Sequence, residues 1–381
     1  MASSKGVLSV PRETSVDYLP RLFIVALLAA FLLFPSLRRP GLAGYDDAFF
    51  AHQAKEMVRT GDWWNERFNG EIILQVPPMY AWLESCSFKL FGVNDGAAKL
   101  PSAVLGLGTI LVLYFLTFEL TGDSWLSLLA SIVLASTQFF LKLATHAMTD
   151  VPFTFFFTLT LFFYVKGLKN KRYFLWLSLP FAAALLTRSV IAFLAVGIMV
   201  VHLLLTQRLR WQLLPWLAGN LALGTGIASI WYVSQYQLHG AEFFFSHFHY
   251  INSKIHTRSS AAHWTTVFNY PVALLEYYWP WLPFLVAGVV MQVRAARRQK
   301  EQGAIFLLVW ILLILVPFSF VETRYPRYIL PAFPAFSILS AMALSRCISA
   351  KYRSLFFLFS YGHWLCRCLP FAVAATKGAS G

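Results

Sequence analysis

Charged side chains are scarce in this sequence, and acidic ones are the scarcest. Aspartate and glutamate number 17 and lysine and arginine 31, so charged residues make up 13% of the 381 residues and hydrophobic ones 58%. A soluble domain of this length could not bury that much apolar surface in one core. The composition therefore excludes an ordinary soluble globular protein and indicates an integral membrane protein.

Cysteine is also rare, and nucleic-acid binding is not indicated. The four cysteines show no metal-site spacing beyond one weak Cys-x-Cys pair and are interpreted as free thiols or core filler. The formal charge of +14 would suggest nucleic acid in a soluble protein, but many basic residues lie in short gaps between apolar blocks. That pattern orients a membrane protein, so no nucleic-acid partner is expected.

The apolar residues form blocks about as long as a bilayer is thick, roughly 17–25 residues per helix. Counting these blocks predicts an all-α polytopic membrane protein with about eleven transmembrane helices, the last of them interrupted by Arg367. Blocks 173–186 and 190–205 are separated by only three residues. They predict a tight helical hairpin, with one longer buried helix as the alternative.

The positions of the blocks and of the basic loops give a predicted topology. The first block could be a cleaved signal peptide, but an uncleaved anchor with a cytoplasmic N-terminus is favoured because so many spans follow. Basic loops then fall inside, and the long segments that carry most of the acids fall outside. The predicted segments are a cytoplasmic N-terminus (1–21), the first transmembrane helix (22–37), an outer loop with interfacial helices and the acidic pair (38–99), a transmembrane bundle (100–235), a second outer segment (236–270), C-terminal transmembrane helices (271–375) and a tail (376–381).

The first outer loop has apolar positions at helical spacing in 48–60, before Gly61, and in 80–91, before Gly92. Each stretch has one aromatic and one polar face. Two short helices at the membrane interface are therefore predicted, each ended by a glycine cap. They would form a platform over the bundle.

Three aspartates on the predicted outer face are candidates for chemistry. Asp46 and Asp47 directly follow the first span, and Asp150 lies between two later apolar blocks. Each position also suits a helix N-cap without further function. A metal or a phosphate could bring Asp46 and Asp150 together.

Three further motifs lie on the predicted outer face. The double proline after Gln75 and Val76 predicts an extended turn. Five histidines follow Tyr236, and hydrated interfacial side chains are favoured over a metal site because their spacing fits none. Arg324 and Arg327 at a helix end are either snorkelling side chains or a clamp for phosphate, whose oxygens a guanidinium matches.

Taken in order, these motifs resemble a known family. The chain resembles the GT-C membrane glycosyltransferases that use polyprenyl-phosphate sugars, above all the bacterial aminoarabinose (lipid A) transferases and their protein-mannosyltransferase-like relatives. The resemblance covers roughly 46–344. It is carried by Tyr45-Asp46-Asp47, Thr60-Gly61-Asp62-Trp63, Arg67-Phe68-Asn69-Gly70, Pro77-Pro78, Phe91-Gly92-Val93-Asn94, Ala98-Lys99-Leu100-Pro101-Ser102, Thr149-Asp150-Val151-Pro152, Leu186-Thr187-Arg188 and Arg327-Tyr328-Ile329-Leu330-Pro331-Ala332.

The resemblance implies a GT-C-type bundle and an inverting transfer of a hexosyl or pentosyl group from a polyprenyl-phosphate carrier. Asp46 matches the family's catalytic aspartate, Asp47 stands where relatives usually have glutamate, and Asp150 matches a second acid. The implied cofactor is a divalent metal ion, held by Asp46 and Asp150, unless arginines neutralise the phosphate instead. The residues predicted to bind substrate are Gln75, Tyr80, His247, His249, Arg324, Arg327 and Tyr328.

The sequence also departs from the aminoarabinose branch. Those enzymes have Glu-Lys before the double proline and an arginine soon after the acidic pair, where this chain has Gln75-Val76 and Phe49. The donor sugar is therefore left open, as is the acceptor, which is a lipid, a glycan or a protein. The expected location is the bacterial inner (plasma) membrane, with the site on the periplasmic side, among membrane lipids and with an unknown protein partner left open. The alternatives are a transporter or flippase of a lipid-linked substrate and a catalytically silent relative.

Overall fold

The structure is a computed structural model that describes residues 15–206, 212–255, 269–299, 301–321 and 325–348. In these ranges the chain is predominantly helical, which confirms the all-α fold class. The helices are α1 (Ser15–Leu33), α2 (Tyr45–Thr60), α3 (Met79–Phe91), α4 (Asp95–Thr121), α5 (Ser124–Ser136), α6 (Gln138–Ala144), α7 (Asp150–Lys169), α8 (Ser178–Arg188), α9 (Phe193–Leu205), α10 (Leu214–His239), α11 (Ala241–Ile255), α12 (Asn269–Tyr277), α13 (Leu282–Gln299), α14 (Gln302–Phe320) and α15 (Phe333–Cys347). Short 3₁₀ segments lie at Phe34–Arg38, Lys171–Leu177, Ser189–Ala192 and Pro326–Ala332.

Six helical segments in the described ranges are long and apolar enough to cross a membrane. Helices α5 and α6, which meet at a bend of 68°, would together add a seventh. The predicted count of about eleven is not confirmed, and the weak last block lies outside the described residues. The six segments are Tyr18–Arg38, Asp95–Thr121, Asp150–Lys169, Lys171–Leu205, Gln302–Phe320 and Pro326–Cys347.

The segment between the first span and α4 contains the two predicted short helices. Helices α2 and α3 end at Gly61 and Gly92, as the sequence predicts. Gly61 has a φ of 73°, the left-handed conformation that glycine adopts without steric cost. The two helices pack against each other, and α3 also packs on the start of α4.

A small β-hairpin between α2 and α3 was not predicted. Strands β1 (Glu66–Phe68) and β2 (Glu71–Ile73) pair antiparallel around Asn69-Gly70, where both residues have positive φ. Two such residues form the turn that matches the twist of a two-residue hairpin, and Asn-Gly is its preferred sequence. The signal was therefore present in the sequence.

The long apolar run after Lys171 folds back on itself. At its middle, the Arg188 guanidinium lies 2.6 Å from a carboxylate oxygen of Asp150, the first residue of α7. Near its end, the ring of His202 lies 2.7 Å from the hydroxyl of Tyr164, near the other end of α7. The chain therefore reverses between α8 and α9, at Ser189 with a φ of 47°, which favours the predicted hairpin over one long helix.

The bend between α5 and α6 occurs at Thr137, whose backbone is extended. The indole of Trp281 donates a hydrogen bond of 3.1 Å to the hydroxyl of Ser136. The ring of Phe139 packs on Tyr277 and Phe333, with centroids 4.6 Å and 5.9 Å away. The aromatic contacts fix α6 against the neighbouring elements at this end of the bundle.

Close helix packing makes one glycine of α10 sensitive to substitution. A Cβ added at Gly224 would lie 2.7 Å from the backbone oxygen of Ser178 in α8, whereas one added at Gly226 meets nothing within 4 Å. We expect Gly224→Ala to destabilise the fold by about 1–3 kcal/mol, because backbone cannot move aside as a flexible side chain can. Gly226→Ala, in the same helix, is expected to be neutral or to stabilise by up to about 1 kcal/mol. Thermal unfolding of both variants in detergent tests this, and equal midpoints would contradict the packing.

Candidate active site

A cleft of about 320 Å³ lies at the end of the bundle that carries the acidic residues. The start of α2, helix α6 with the turn that follows it, and the 3₁₀ segment after α14 form its walls. Its lining is mostly apolar and includes side chains of both signs of charge. The lining residues are Ala43, Gly44, Tyr45, Asp46, Asp47, Lys142, Leu143, His146, Met148 and Arg327.

Asp46 is the accessible carboxylate of the cleft. Its side chain is 42% exposed, and one of its oxygens lies 2.6 Å from the guanidinium of Arg327. The two residues are 281 positions apart in the sequence. Two residues that the sequence predicts for catalysis and substrate binding thus lie in contact.

The neighbouring Asp47 is buried and has different partners. Its carboxylate accepts a hydrogen bond of 3.1 Å from the backbone N–H of Ala43. The ring nitrogen Nδ1 of His146 lies 3.2 Å from the same carboxylate. Because consecutive residues of a helix point about 100° apart, Asp46 opens to the cleft while Asp47 anchors α2 to the turn after α6.

Asp150 belongs to a second ion pair close to the first. Its side chain is buried, and Arg188 binds both it, at 2.6 Å, and the hydroxyl of Thr149, at 3.1 Å. The Arg188 guanidinium also lies 5.9 Å from the ring centre of Tyr328, the residue after Arg327. The two ion pairs therefore meet at the 3₁₀ segment that follows α14.

A buried lysine holds the loop that leads to Asp46. The Lys99 ammonium donates to the carbonyl oxygens of Arg39 and Gly41, at 3.1 Å and 2.6 Å. The N–H of Gly41 donates in turn to the Asp95 carboxylate, at 2.6 Å. Both anchors come from the first turns of α4, so this helix sets where α2 begins.

Tyr80 and Glu84 lie on α3, close enough to Asp47 to feel its charge. The Tyr80 hydroxyl is buried against the hydroxyl of Ser102, at 3.0 Å, so Tyr80 links α3 to α4. Burial, and next the charge of Asp47, raise the pKa of Glu84 well above its usual value. Burial and the nearby Asp47 carboxylate therefore favour the neutral form of Glu84.

The predicted substrate residues outside the cleft differ in their surroundings. His247 is buried: its Nδ1–H donates to the carbonyl of Leu74 at 3.3 Å, and Nε2 accepts from the hydroxyl of Ser189 at 2.8 Å. Burial lowers its pKa, which fits this neutral tautomer. His249 and Gln75 are exposed. His247 thus connects α11 to the turn after Arg188 and to the loop before the double proline.

The metal hypothesis finds little support in the arrangement of the carboxylates. Asp46 and Asp150 each bind an arginine. In the described part of the chain, no group of three histidine, cysteine, aspartate or glutamate side chains is placed to hold a metal ion. The described residues therefore offer no such metal site, and the divalent metal ion stays a prediction. Arg324 lies outside the described residues.

Three comparisons place this geometry among known proteins. Residues 75–232 match the family of dolichyl-phosphate-mannose-protein mannosyltransferases. An uncharacterized protein of Aquifex aeolicus is 31% identical over 317 residues, which are 82% of this chain and 62% of that protein. The undecaprenyl phosphate-alpha-4-amino-4-deoxy-L-arabinose arabinosyl transferase 2 of Sodalis glossinidius is 25% identical over 339 residues, 86% of this chain and 60% of the relative. The chain thus spans somewhat less than two thirds of the length of these relatives.

Solved structures with the same fold come from bacteria and archaea. ArnT from Cupriavidus metallidurans bound to undecaprenyl phosphate superposes with a TM-score of 0.75 at 23% identity, over 96% of this chain and 64% of that one. The oligosaccharyltransferase of Archaeoglobus fulgidus superposes with a TM-score of 0.62 at 14% identity, over 91% of this chain and 54% of that one. These superpositions confirm the fold, and the match of residues 75–232 and the sequence relatives add the resemblance to the aminoarabinose transferase and mannosyltransferase-like superfamily.

Proposed function

We propose that this GT-C chain is a membrane glycosyltransferase that moves a sugar from a polyprenyl-phosphate carrier to an acceptor hydroxyl at the outer, periplasmic surface of the bacterial inner membrane. The observation that carries the proposal is the accessible Asp46 carboxylate, held beside Arg327 in a cleft at the end of the bundle. The similarity to ArnT, whose structure holds undecaprenyl phosphate, supports the class of donor. The acceptor is a lipid, a glycan or a protein.

The proposed reaction is a single displacement with inversion. The acceptor oxygen attacks the anomeric carbon of the sugar while its proton passes to Asp46, which acts as general base. The bond between that carbon and the phosphate oxygen breaks, and the polyprenyl phosphate leaves with the electron pair. Arg327 neutralises the negative charge that grows on the leaving phosphate, so no strong general acid is required.

Three other predicted site residues position neighbouring groups of the site. Asp150 keeps Arg188 beside Tyr328, next to Arg327. Asp47 fixes the start of α2 through Ala43 and His146. Tyr80 links α3 to α4 through Ser102. We assign direct contact with the reacting atoms to Asp46 and contact with the phosphate to Arg327.

A transfer assay with defined donors tests the proposal. The full chain is reconstituted in liposomes with undecaprenyl-phosphate sugars labelled in the sugar, and with a lipid extract as acceptor source. We expect label to move to an acceptor and undecaprenyl phosphate to accumulate. Transfer from sugar nucleotides alone would refute a polyprenyl-phosphate donor. Movement of intact labelled lipid across the bilayer without cleavage would favour a flippase.

A further inference from the structure

One cation of the cleft has no acidic partner. Lys142 lies on α6, lines the cleft together with Asp46 and Arg327, and is exposed. Among the residues that the structure describes, no carboxylate lies within ion-pair distance of its ammonium group. The bent arrangement of α5 and α6, packed through Phe139, presents this lysine from a fixed element.

The other cations near the cleft are already bound to protein groups. Arg327 lies 2.6 Å from Asp46, and Arg188 lies 2.6 Å from Asp150. The ring of His146 faces Asp47. An anion that entered the cleft would have to compete with a carboxylate for each of these groups.

The loop before the double proline adds no free cation to the cleft. Before the double proline stand Gln75 and Val76, neither of which carries a charge. Lys99 donates to the backbone carbonyls of Arg39 and Gly41 and is buried. Lys142 is therefore the cleft cation that can neutralise an incoming anion without first breaking an ion pair of the protein.

We propose that Lys142 binds the phosphate group of the polyprenyl carrier and is the principal charge that recognises it in the resting cleft. The inference rests on the proposed function, because it names the residue that would hold the carrier of that reaction. An ammonium is a compact point charge on a flexible stem, so it can follow the phosphate as the sugar leaves. Arg327 then acts on the developing charge, while Lys142 holds the phosphate before and after transfer.

Binding of lipids to the purified full chain tests this role. Undecaprenyl phosphate is titrated against wild type, Lys142→Met, Lys142→Arg and Lys89→Met, with undecaprenol and inorganic phosphate as separate probes. Lys89 is a matched control because it lies over the ring of Trp63 and does not line the cleft. Thermal midpoints confirm that the exposed substitutions leave the fold intact.

We expect Lys142→Met to weaken binding of undecaprenyl phosphate roughly 10- to 100-fold, as for the loss of one charged hydrogen bond. Lys142→Arg should keep most of the affinity, and Lys89→Met should match wild type. Undecaprenol should bind weakly and alike in all four proteins.

Three outcomes overturn different parts of the proposal. Equal binding of undecaprenyl phosphate by wild type and Lys142→Met rejects Lys142 as its ligand. Inorganic phosphate binding as tightly as the lipid, and lost in Lys142→Met, would mean that the ligand is free phosphate. Wild type binding undecaprenol as tightly as undecaprenyl phosphate would count against the proposed function itself.

Discussion

Asp46→Asn is expected to slow sugar transfer by about 10²- to 10⁴-fold, the usual contribution of a positioned general base. The amide has nearly the same shape as the carboxylate but cannot accept the acceptor proton. Its oxygen can still accept a hydrogen bond from Arg327, so the cleft and the affinity for undecaprenyl phosphate should be largely kept. Initial rates in reconstituted liposomes, at saturating donor, give the measurement.

A matched control separates chemistry from general damage to the outer loop. Glu71→Gln makes the same change from carboxylate to amide at an exposed position of β2, outside the cleft. That variant should transfer sugar at the wild-type rate. If Asp46→Asn also kept the full rate while binding the lipid normally, the assignment of Asp46 as the base would have to be abandoned.

Arg188→Met is expected to lower the free energy of unfolding by about 3–5 kcal/mol, the range for breaking a buried ion pair from one side. Methionine removes the guanidinium that binds Asp150, whose carboxylate is buried and has one oxygen without a hydrogen-bond partner in the described residues. An uncompensated buried charge is costly because the protein interior solvates it poorly. Thermal unfolding in detergent, followed by the fluorescence of the 13 tryptophans, provides the readout.

The double variant, Arg188→Met with Asp150→Asn, shows whether the loss of stability comes from the unpaired Asp150 carboxylate. Asp150→Asn alone removes the carboxylate, and we expect it to cost less than Arg188→Met. Combining the two should recover part of the stability, because neither a lone carboxylate nor a lone guanidinium remains buried. Strictly additive losses would show that Arg188 contributes through packing with Tyr328 rather than through its pair with Asp150.

Much of the fold could be predicted from local sequence patterns. The platform helices were predictable because their apolar spacing and the caps at Gly61 and Gly92 are local signals. The reversal after Arg188 was predictable because two apolar blocks flank a short polar break. The start of α4 at Asp95, before the apolar block, was missed because an asparagine cap and a polar first turn precede the hydrophobic stretch.

The candidate site was only partly predictable. Asp46, Asp150 and Arg327 could be selected as unusual charges at the ends of spans. No local sequence signal predicts the ion pair between Asp46 and Arg327, which are 281 positions apart. The pairing of Asp47 with His146 was missed for the same reason. Lys142 and His146 are spaced four apart, the spacing of one helical face, although α6 ends at Ala144 and His146 lies in the turn that follows.

The tether from Lys99 and Asp95 makes the length of the short loop before α2 a determinant of chemistry. The loop is fixed at Arg39 and Gly41, and α2 begins at Tyr45. One residue more or fewer in between would rotate the helix by about 100° relative to its anchor. With one residue fewer, Asp47 would take the accessible position and Asp46 that of Tyr45; with one residue more, Asp46 would take the buried position. The number of residues between Gly41 and α2 thus decides which of the two adjacent aspartates is accessible.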